Sequence, residues 1–151
     1  MNSLTKLGKF FTLGELSVSE YASRRGIDNT PPPEHAENLK LLVENILDPL
    51  REHLGKPLVI SSGYRSPLVN TAIGGSATSD HRFGRAADFT QPEMTVKAVA
   101  GKIIELGLPF DQLIDEYGNW VHVSYRAKGN RGQVFRARRI NGKIVYLQGL
   151  E

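Results

Sequence analysis

Residues 110–125 read FDQLIDEYGNWVHVSY, and this stretch decides the fold. Two strand-like runs, 110–117 and 120–125, flank Gly118-Asn119, and such a pair around a glycine-containing dipeptide predicts a β-hairpin. In the second run His122 alternates with two valines, so its side chain is expected on the face opposite theirs. The stretch therefore predicts an antiparallel sheet with one apolar face and a histidine on the other.

Further strands are predicted on both sides of this hairpin. Downstream, runs 134–140 and 143–147 flank Asn141-Gly142, which is a strong hairpin signal. Upstream, 57–61 is an apolar run typical of a buried strand, and 85–89 is a second strand candidate. The polar stretch between them, 62–79, is predicted to be a long loop, and loops of that length are often functional.

Helical patterns dominate the first half of the chain. Two capping boxes, Thr12 to Glu15 and Ser17 to Glu20, predict short helices, the second ending at Gly26. The main helix is expected to start after Thr30, where prolines follow, to kink at Pro49 and to end at Gly55. Its apolar residues recur at helical spacing: Leu39, Leu42, Val43, Ile46, Leu47, Leu50 and Leu54.

Another amphipathic helix is predicted over 96–104, ending at Gly107. Because helices come first and mostly antiparallel strands follow, the order predicts an α+β fold in which the N-terminal helices pack on a small sheet. The length of 151 residues fits one domain, 1–151, in which residues 1–10 are a candidate for disorder.

Composition limits the chemistry and the location. The chain is 40% apolar and 23% charged with a net charge of +3, values typical of a globular protein. It contains no cysteine, so any metal must be held by His, Asp or Glu. No segment approaches the ~20 apolar residues of a membrane span, and the N-terminus lacks the apolar run of a signal peptide. These features predict a protein made in the cytoplasm without a signal peptide.

Two histidines and one aspartate are candidates for a metal site, although a strand histidine such as His122 is more often a hydrogen-bonded core or surface residue than a ligand. His81 and Asp88 bracket the segment SDHRFGRAAD, residues 79–88, and their side chains can converge if the segment turns at Gly84. His122 would join them from the hairpin. Two histidines and one carboxylate are the composition of a catalytic zinc site with a fourth position open for water. The other histidines, His35 and His53, are expected to be solvated helix residues.

The motif Ser79-x-His81-x-x-Gly84-x-Ala86-x-Asp88, followed by Trp120-Val-His122, resembles the signature of the zinc D-alanyl-D-alanine carboxypeptidases and their phage endolysin relatives. The similarity runs from about Phe11 to the C-terminus and is greatest to the compact phage and prophage branch. Further matching segments are SSGYRSP at 61–67, Asn70, Gly74-Gly75 and FDQLI at 110–114.

The resemblance implies that one Zn²⁺ is bound by His81, Asp88 and His122. It implies a monomeric peptidase of peptidoglycan stem or cross-bridge peptides, either a D-Ala-D-Ala carboxypeptidase or an endolysin-type endopeptidase. Lacking an export signal, the protein would act at the cell wall after release by another protein, or in a virion.

The chain departs from the family pattern at the general acid/base. Many members carry this carboxylate three residues before the second histidine, where this chain has Asn119. A two-residue turn at 118–119 would pair Asp115 with His122 and place both on one face. A three-residue turn or a bulge would bring Glu116 there instead. Both carboxylates are candidates, and the family pattern favours Glu116.

Other site residues follow from their position near these motifs. Arg65 is predicted to bind a substrate carboxylate or polarise the scissile carbonyl, because a guanidinium grips carboxylates with paired donors. Ser79 is expected to orient His81 and to contact substrate. Gln112 and Tyr64 are expected to line the cleft, and Trp120 to pack on the hairpin.

The C-terminal stretch is basic and carries Arg126, Lys128, Arg131, Arg136, Arg138, Arg139 and Lys143. This charge is expected either to be solvated or to adhere to anionic wall polymer. Nucleic-acid binding is disfavoured, because no basic groove with interleaved aromatic residues is evident. The alternative function is a non-catalytic wall-binding or virion structural domain, which the departure at Asn119 motivates.

Overall fold

A six-stranded sheet in the order β1-β2-β4-β3-β5-β6 organises the computed structural model, which describes residues 2–151. All neighbouring strands are antiparallel except the parallel pair β3 and β5. The predicted α+β fold is therefore confirmed. The strands are β1 Val59–Ser62, β2 Ala86–Thr90, β3 Gln112–Glu116, β4 Trp120–Ser124, β5 Gln133–Ile140 and β6 Lys143–Gln148.

The helices precede or interrupt the strands. Thr12 caps the first helix with the predicted capping box, and Gly26 ends the second in the left-handed conformation, also as predicted. The second helix is capped by Ser19 rather than by Ser17, because the Ser19 hydroxyl accepts from the amide of Ala22. The helices are α1 Leu13–Leu16, α2 Glu20–Arg25, α3 Pro33–Leu42, α4 Asp48–Leu54, α5 Pro67–Ala72 and α6 Val96–Glu105.

The main helix runs from α3 to α4 through a π-helical stretch, Val43–Leu47, and ends at Gly55 as predicted. The irregularity precedes Pro49, which has no amide hydrogen to donate. Beside it, Asp48 accepts backbone hydrogen bonds from Lys9 (2.6 Å) and Phe10 (3.1 Å). The main helix therefore holds the N-terminal segment, whose Leu7 is buried in the core.

One face of the sheet packs against α6 and the main helix to form the core, with Leu39, Ile46, Phe89, Ile103, Leu113, Val121 and Val123 among its buried residues.

A strand is present where one was predicted at 57–61, but the prediction that this strand is buried is wrong. β1 is an edge strand paired only with β2, so Val59 is 50% exposed. The predicted loop 62–79 contains α5. Among residues 2–151, no helix is long and apolar enough to cross a membrane.

Two rows of side chains cross the other face of the sheet. Register places directly paired residues on the same face, and neighbouring strands lie about 4.8 Å apart. The first row is Ser62, Asp88, His122, Ile114, Phe135 and Gln148, one residue from each strand. The second row is Trp120, Glu116, Ala137 and Tyr146. These rows form the floor on which the candidate site is built.

Candidate metal centre and cleft

The register of the β3–β4 hairpin decides which carboxylate faces His122. Glu116 pairs with Trp120 and Ile114 pairs with His122, so three residues form the connection. Tyr117 and Gly118 both have positive φ, 61° and 72°, and the amide of Asn119 donates to the carbonyl of Glu116. The tight turn thus lies one residue earlier than Gly118-Asn119, and Glu116 shares the face of His122.

Asp115 points to the opposite face and is not brought to His122 and Asp88. It is only 2% exposed, and its Oδ1 accepts from the amide of Gly118 at 2.7 Å. Its Oδ2 accepts from Arg138 Nη2 at 3.1 Å. This carboxylate anchors the turn in its three-residue form and ties it to β5.

His81 is held with one ring nitrogen available. It lies in a 3₁₀ turn, Asp80–Phe83, that ends at Gly84 in the left-handed conformation, which is the turn predicted from the sequence. His81 Nδ1 donates to the carbonyl of Gly63 at 2.7 Å, which leaves Nε2 unprotonated in the neutral ring. A Cβ on residue 63 would lie 2.1 Å from the carbonyl oxygen of Leu16, so only glycine fits there.

His81, Asp88 and His122 converge at the sheet surface. Asp88 Oδ1 lies 2.9 Å from His122 Nδ1 and 3.3 Å from His81 Nε2. One potential ligand atom from each residue lies within 4.8 Å of the other two. Asp88 and His122 meet because they are direct cross-strand partners, and His81 reaches them from the loop before β2.

The electrostatics of this group favour a cation. Burial alone would raise the pKa of Asp88, but His81 and His122, when protonated, hold that pKa well below its usual range through their charge and their hydrogen bonds. Burial alone would lower the pKa of His122, and its hydrogen bond with Asp88 together with the Asp88 charge raises it instead. The carboxylate is therefore kept ionised between the two imidazoles, which is the form in which it could bind a cation.

The donor set fits zinc. Two imidazole nitrogens and one carboxylate oxygen are three N/O ligands, and the hydrogen bond from His81 to Gly63 is the kind of support that orients a metal ligand. Within residues 2–151, this is the group of His and acidic residues that meets the geometry for holding a metal ion. The three residues are those predicted from the sequence.

The three ligands lie in an open cleft of about 650 Å³. Its lining residues come from the loop before β2 and from the exposed face of the sheet: Arg65, Gly75, Ser76, Thr78, Ser79, Asp80, His81, Asp88, Gln112, Ile114, Glu116, Trp120, His122, Phe135 and Tyr146. His81, Asp88 and His122 are therefore accessible from this cleft.

Arg65 projects into the cleft with spare hydrogen-bonding capacity. Its Nη2 donates to Ser79 Oγ at 3.3 Å, whereas its buried Nε has no partner among the described residues. Burial lowers the pKa of Arg65, and the charge of Asp88 opposes that shift. A half-buried guanidinium with unused donors is suited to bind an anionic group of a ligand.

Glu116 lines the same cleft on the strand next to His122. Its partner Trp120 is two residues from His122, so Glu116 and His122 are diagonal neighbours, about 7–8 Å apart along the backbone and within reach of a long side chain. Burial raises the pKa of Glu116, His122 opposes the shift, and the charges of Asp88 and Asp115 add to it. A carboxyl group with a raised pKa beside a metal site is a candidate acid/base.

The remaining predicted site residues divide into two groups. Gln112, Ser79 and Trp120 line the cleft, and Gln112 Nε2 donates to Gln133 Oε1 at 2.9 Å. Trp120 also packs edge-on against Tyr117, with ring centroids 6.0 Å apart. The structure does not bring Tyr64 to the cleft, because its side chain is buried in the core.

The prediction that His35 is solvated is wrong. Its ring lies 5.8 Å from that of Tyr64 and 5.7 Å from that of Phe83. It packs there because the left-handed turn at Gly84 lies against the backbone of α3, where a Cβ on residue 84 would lie 2.3 Å from the carbonyl oxygen of His35. His53 is exposed, as predicted.

Phe135 and Tyr146 line the cleft and were not predicted from the sequence. They lie on β5 and β6, and they reach the cleft because β5 pairs in parallel with β3. Burial raises the pKa of Tyr146, and the nearby Glu116 charge adds to the shift. The sequence carries no local signal for this parallel pairing across residues 117–132.

Much of the basic C-terminal charge is paired within the protein. Arg131 binds the buried carboxylate of Asp111 with two side-chain donors, and Arg126 contacts both Asp111 and Asp80. Arg138 pairs with Asp115 and Arg136 with Glu151. Lys128, Arg139 and Lys143 form no ion pair within residues 2–151. Four of the seven basic side chains are therefore paired with carboxylates of the protein.

Comparison with known proteins identifies the family. The peptidase M15 family model matches residues 9–124, a span that contains Arg65, the three candidate metal ligands and Glu116. The chain belongs to the peptidase M15 family. A search of curated proteins finds no match. Because M15 members are zinc peptidases, this chain is a metallopeptidase of the hydrolase class, and the family implies a peptidoglycan peptide as substrate. The β5–β6 hairpin of this M15 peptidase lies beyond the matched span.

Proposed function

We propose that this M15 peptidase hydrolyses peptide bonds in the stem or cross-bridge peptides of peptidoglycan, with one Zn²⁺ held by His81, Asp88 and His122. The observation that carries the proposal is the convergence of these three ligands, with Glu116 on the same face, in one cleft. When bound there, zinc would polarise the scissile carbonyl and lower the pKa of a water molecule. Action at the cell wall, after release by another protein or in a virion, is part of the proposal.

Glu116 is proposed as the proton carrier. Hydrolysis requires a base to take a proton from the attacking water and an acid to deliver one to the leaving amine. Glu116 lines the cleft, whereas Asp115 lies on the other face and is committed to Gly118 and Arg138. The raised pKa of Glu116 suits a group that both accepts and returns a proton.

Arg65 is proposed to bind a substrate carboxylate. Replacing it by Ala should lower kcat/KM by about 100-fold, since charged hydrogen bonds contribute about 1.5–3 kcal/mol. Arg65→Lys should recover part of the loss, because it restores the charge without the paired donors. Steady-state kinetics would measure this, with Arg82→Ala as control, an arginine of the same region outside the cleft lining. Unchanged KM and kcat in Arg65→Ala would contradict the role.

The proposal is tested by incubating the purified protein with muropeptides and identifying products by mass spectrometry, with and without a chelator. We expect cleavage that the chelator stops and added Zn²⁺ restores. The product masses would distinguish D-Ala–D-Ala, L-Ala–D-Glu and cross-bridge cleavage. Absence of turnover, or turnover indifferent to chelation, would reject the metallopeptidase proposal in favour of a non-catalytic wall-binding or virion structural domain.

The position of Asn119 bears on that alternative. Asn119 is exposed at the hairpin tip and is not among the cleft residues. Although position 119 carries no carboxylate, the cleft still contains one. The three-residue connection brings the carboxylate of Glu116 into the cleft. This arrangement supports the peptidase over the non-catalytic domain.

A further inference from the structure

The cleft has two chemically different ends. The end formed by the loop before β2 is polar and carries Arg65, Ser76, Thr78, Ser79 and Asp80. The end formed by the sheet is lined by neutral side chains apart from Glu116, most of them apolar or aromatic: Gln112, Ile114, Trp120, Phe135 and Tyr146. The metal ligands lie between the two ends. A peptide crossing the site would therefore meet charge on one side of its scissile bond and aromatic surface on the other.

The aromatic end extends well beyond the metal ligands. β5 lies two strands from β4 and β6 lies three strands from it. At about 4.8 Å between strands, the backbones of Phe135 and Tyr146 lie about 10 Å and about 14 Å from the strand of His122. An extended peptide advances about 3.3 Å per residue, so these distances correspond to roughly three and four residues. The backbones of both residues therefore lie beyond the ends of a dipeptide centred on His122.

The hairpin contributes two aromatic side chains to the cleft. Ala137 lies directly between Glu116 and Tyr146 in the second row and is fully buried. Tyr146 is 56% exposed, so one side of its ring is open to a ligand. Phe135 is partly buried beside Ile114 in the first row. Aromatic rings gain free energy when a neutral segment covers them.

We propose that the β5–β6 hairpin is a subsite for the third and fourth residues of a neutral peptide segment on the amino-terminal side of the scissile bond. The inference rests on the proposed function, in which Arg65 binds a substrate carboxylate on the carboxyl-terminal side of the scissile bond. It makes the enzyme selective for peptides extended on the amino-terminal side over dipeptides. The selectivity comes from a hairpin that lies outside the span matched by the family.

The test compares synthetic peptides that share one scissile bond. One carries a neutral three-residue extension on its amino-terminal side, one carries the same extension on its carboxyl side, and one carries none. We expect kcat/KM to be at least tenfold higher for the peptide with the amino-terminal extension than for either of the other two peptides. Phe135→Ala and Tyr146→Ala should each lower kcat/KM for that peptide several-fold to tenfold more than for the unextended peptide.

Ile144→Ala is the matched control. Ile144 lies on the same strand and face as Tyr146, is 50% exposed and is outside the cleft lining. Its replacement should therefore leave kcat/KM unchanged for both the extended and the unextended peptide. Equal rates for all three peptides, or a gain only with the carboxyl-side extension, would overturn the subsite while leaving the peptidase intact. The subsite would also be overturned if Phe135→Ala and Tyr146→Ala lowered kcat/KM by the same factor for the extended and the unextended peptide.

A binding measurement separates this inference from the proposed function. Trp120 is the only tryptophan of the chain and lies at the aromatic end of the cleft, so its fluorescence reports occupancy without turnover. In Glu116→Gln, the peptide extended on its amino-terminal side should change this fluorescence and bind more tightly than the unextended peptide. Phe135→Ala and Tyr146→Ala should remove the difference. No fluorescence change with the extended peptide would overturn the subsite, whereas absent turnover in the wild type would count against the proposed function alone.

Discussion

Replacing Asp88 by Asn should remove bound zinc and lower turnover by about a thousandfold or more. Asp88 is the carboxylate between the two imidazoles, at 2.9 Å from His122 Nδ1 and 3.3 Å from His81 Nε2. Loss of groups that only support a metal ligand costs about 10–100-fold in affinity or activity, so loss of a ligand should cost more. An amide also carries no charge to offset that of the cation.

Metal content measured by mass spectrometry, together with kcat, checks this prediction. Asp80→Asn is the matched control, since Asp80 is a partly buried carboxylate of the same segment that pairs with Arg85 and Arg126. It should retain zinc at the wild-type ratio. Stoichiometric zinc in Asp88→Asn would show that Asp88 is not a ligand.

Replacing Glu116 by Gln should lower kcat by about 10²–10⁴-fold while zinc content and folding stay unchanged. General acid–base catalysis contributes rate factors of this size. Gln keeps the shape of the side chain but cannot carry the proton. Because the residue is not among the converging ligands, its replacement should separate metal binding from catalysis. Full turnover in Glu116→Gln would exclude it as the acid/base.

Asp115→Asn is the informative comparison, because its carboxylate is adjacent in sequence and opposite in direction. We expect near wild-type kcat per folded molecule but a lower melting temperature. The substitution weakens the hydrogen bonds to Gly118 and Arg138, at a cost of about 1–3 kcal/mol. At this chain length that corresponds to a fall of several degrees. If Asp115→Asn instead abolished kcat in a stable protein, the assignment of Asp115 and Glu116 would be reversed.

Two features of the site are local and could be predicted from the sequence. The segment 79–88 contains its own turn residue, Gly84, so the approach of His81 to Asp88 is set within ten residues. His122 faces away from the core because a strand alternates its side chains, and the two adjacent valines are fully buried. The hairpin at Asn141-Gly142 also follows from two residues that tolerate positive φ.

The choice between Asp115 and Glu116 could not be made from local patterns. The two-residue turn at Gly118-Asn119 has the stronger sequence signal, yet the chain turns at Tyr117-Gly118, with a tyrosine at φ 61°. Positive φ is unfavourable for tyrosine, but Asp115 gains its bonds to Gly118 and to Arg138, 23 residues away. The packing of Tyr64 against His35 instead of in the cleft depends in the same way on distant residues.

The amino-acid sequence by itself determined the α+β class, the turn that brings His81 toward Asp88 and the face on which His122 lies. Each follows from side-chain periodicity or from a turn within a few residues, where the backbone has few alternatives. Only the tertiary structure decided the hairpin register, which selects Glu116, and the parallel pairing of β3 with β5, which adds Phe135 and Tyr146 to the cleft. These depend on contacts between residues far apart in the chain, whose combined free energy outweighs the local turn preference.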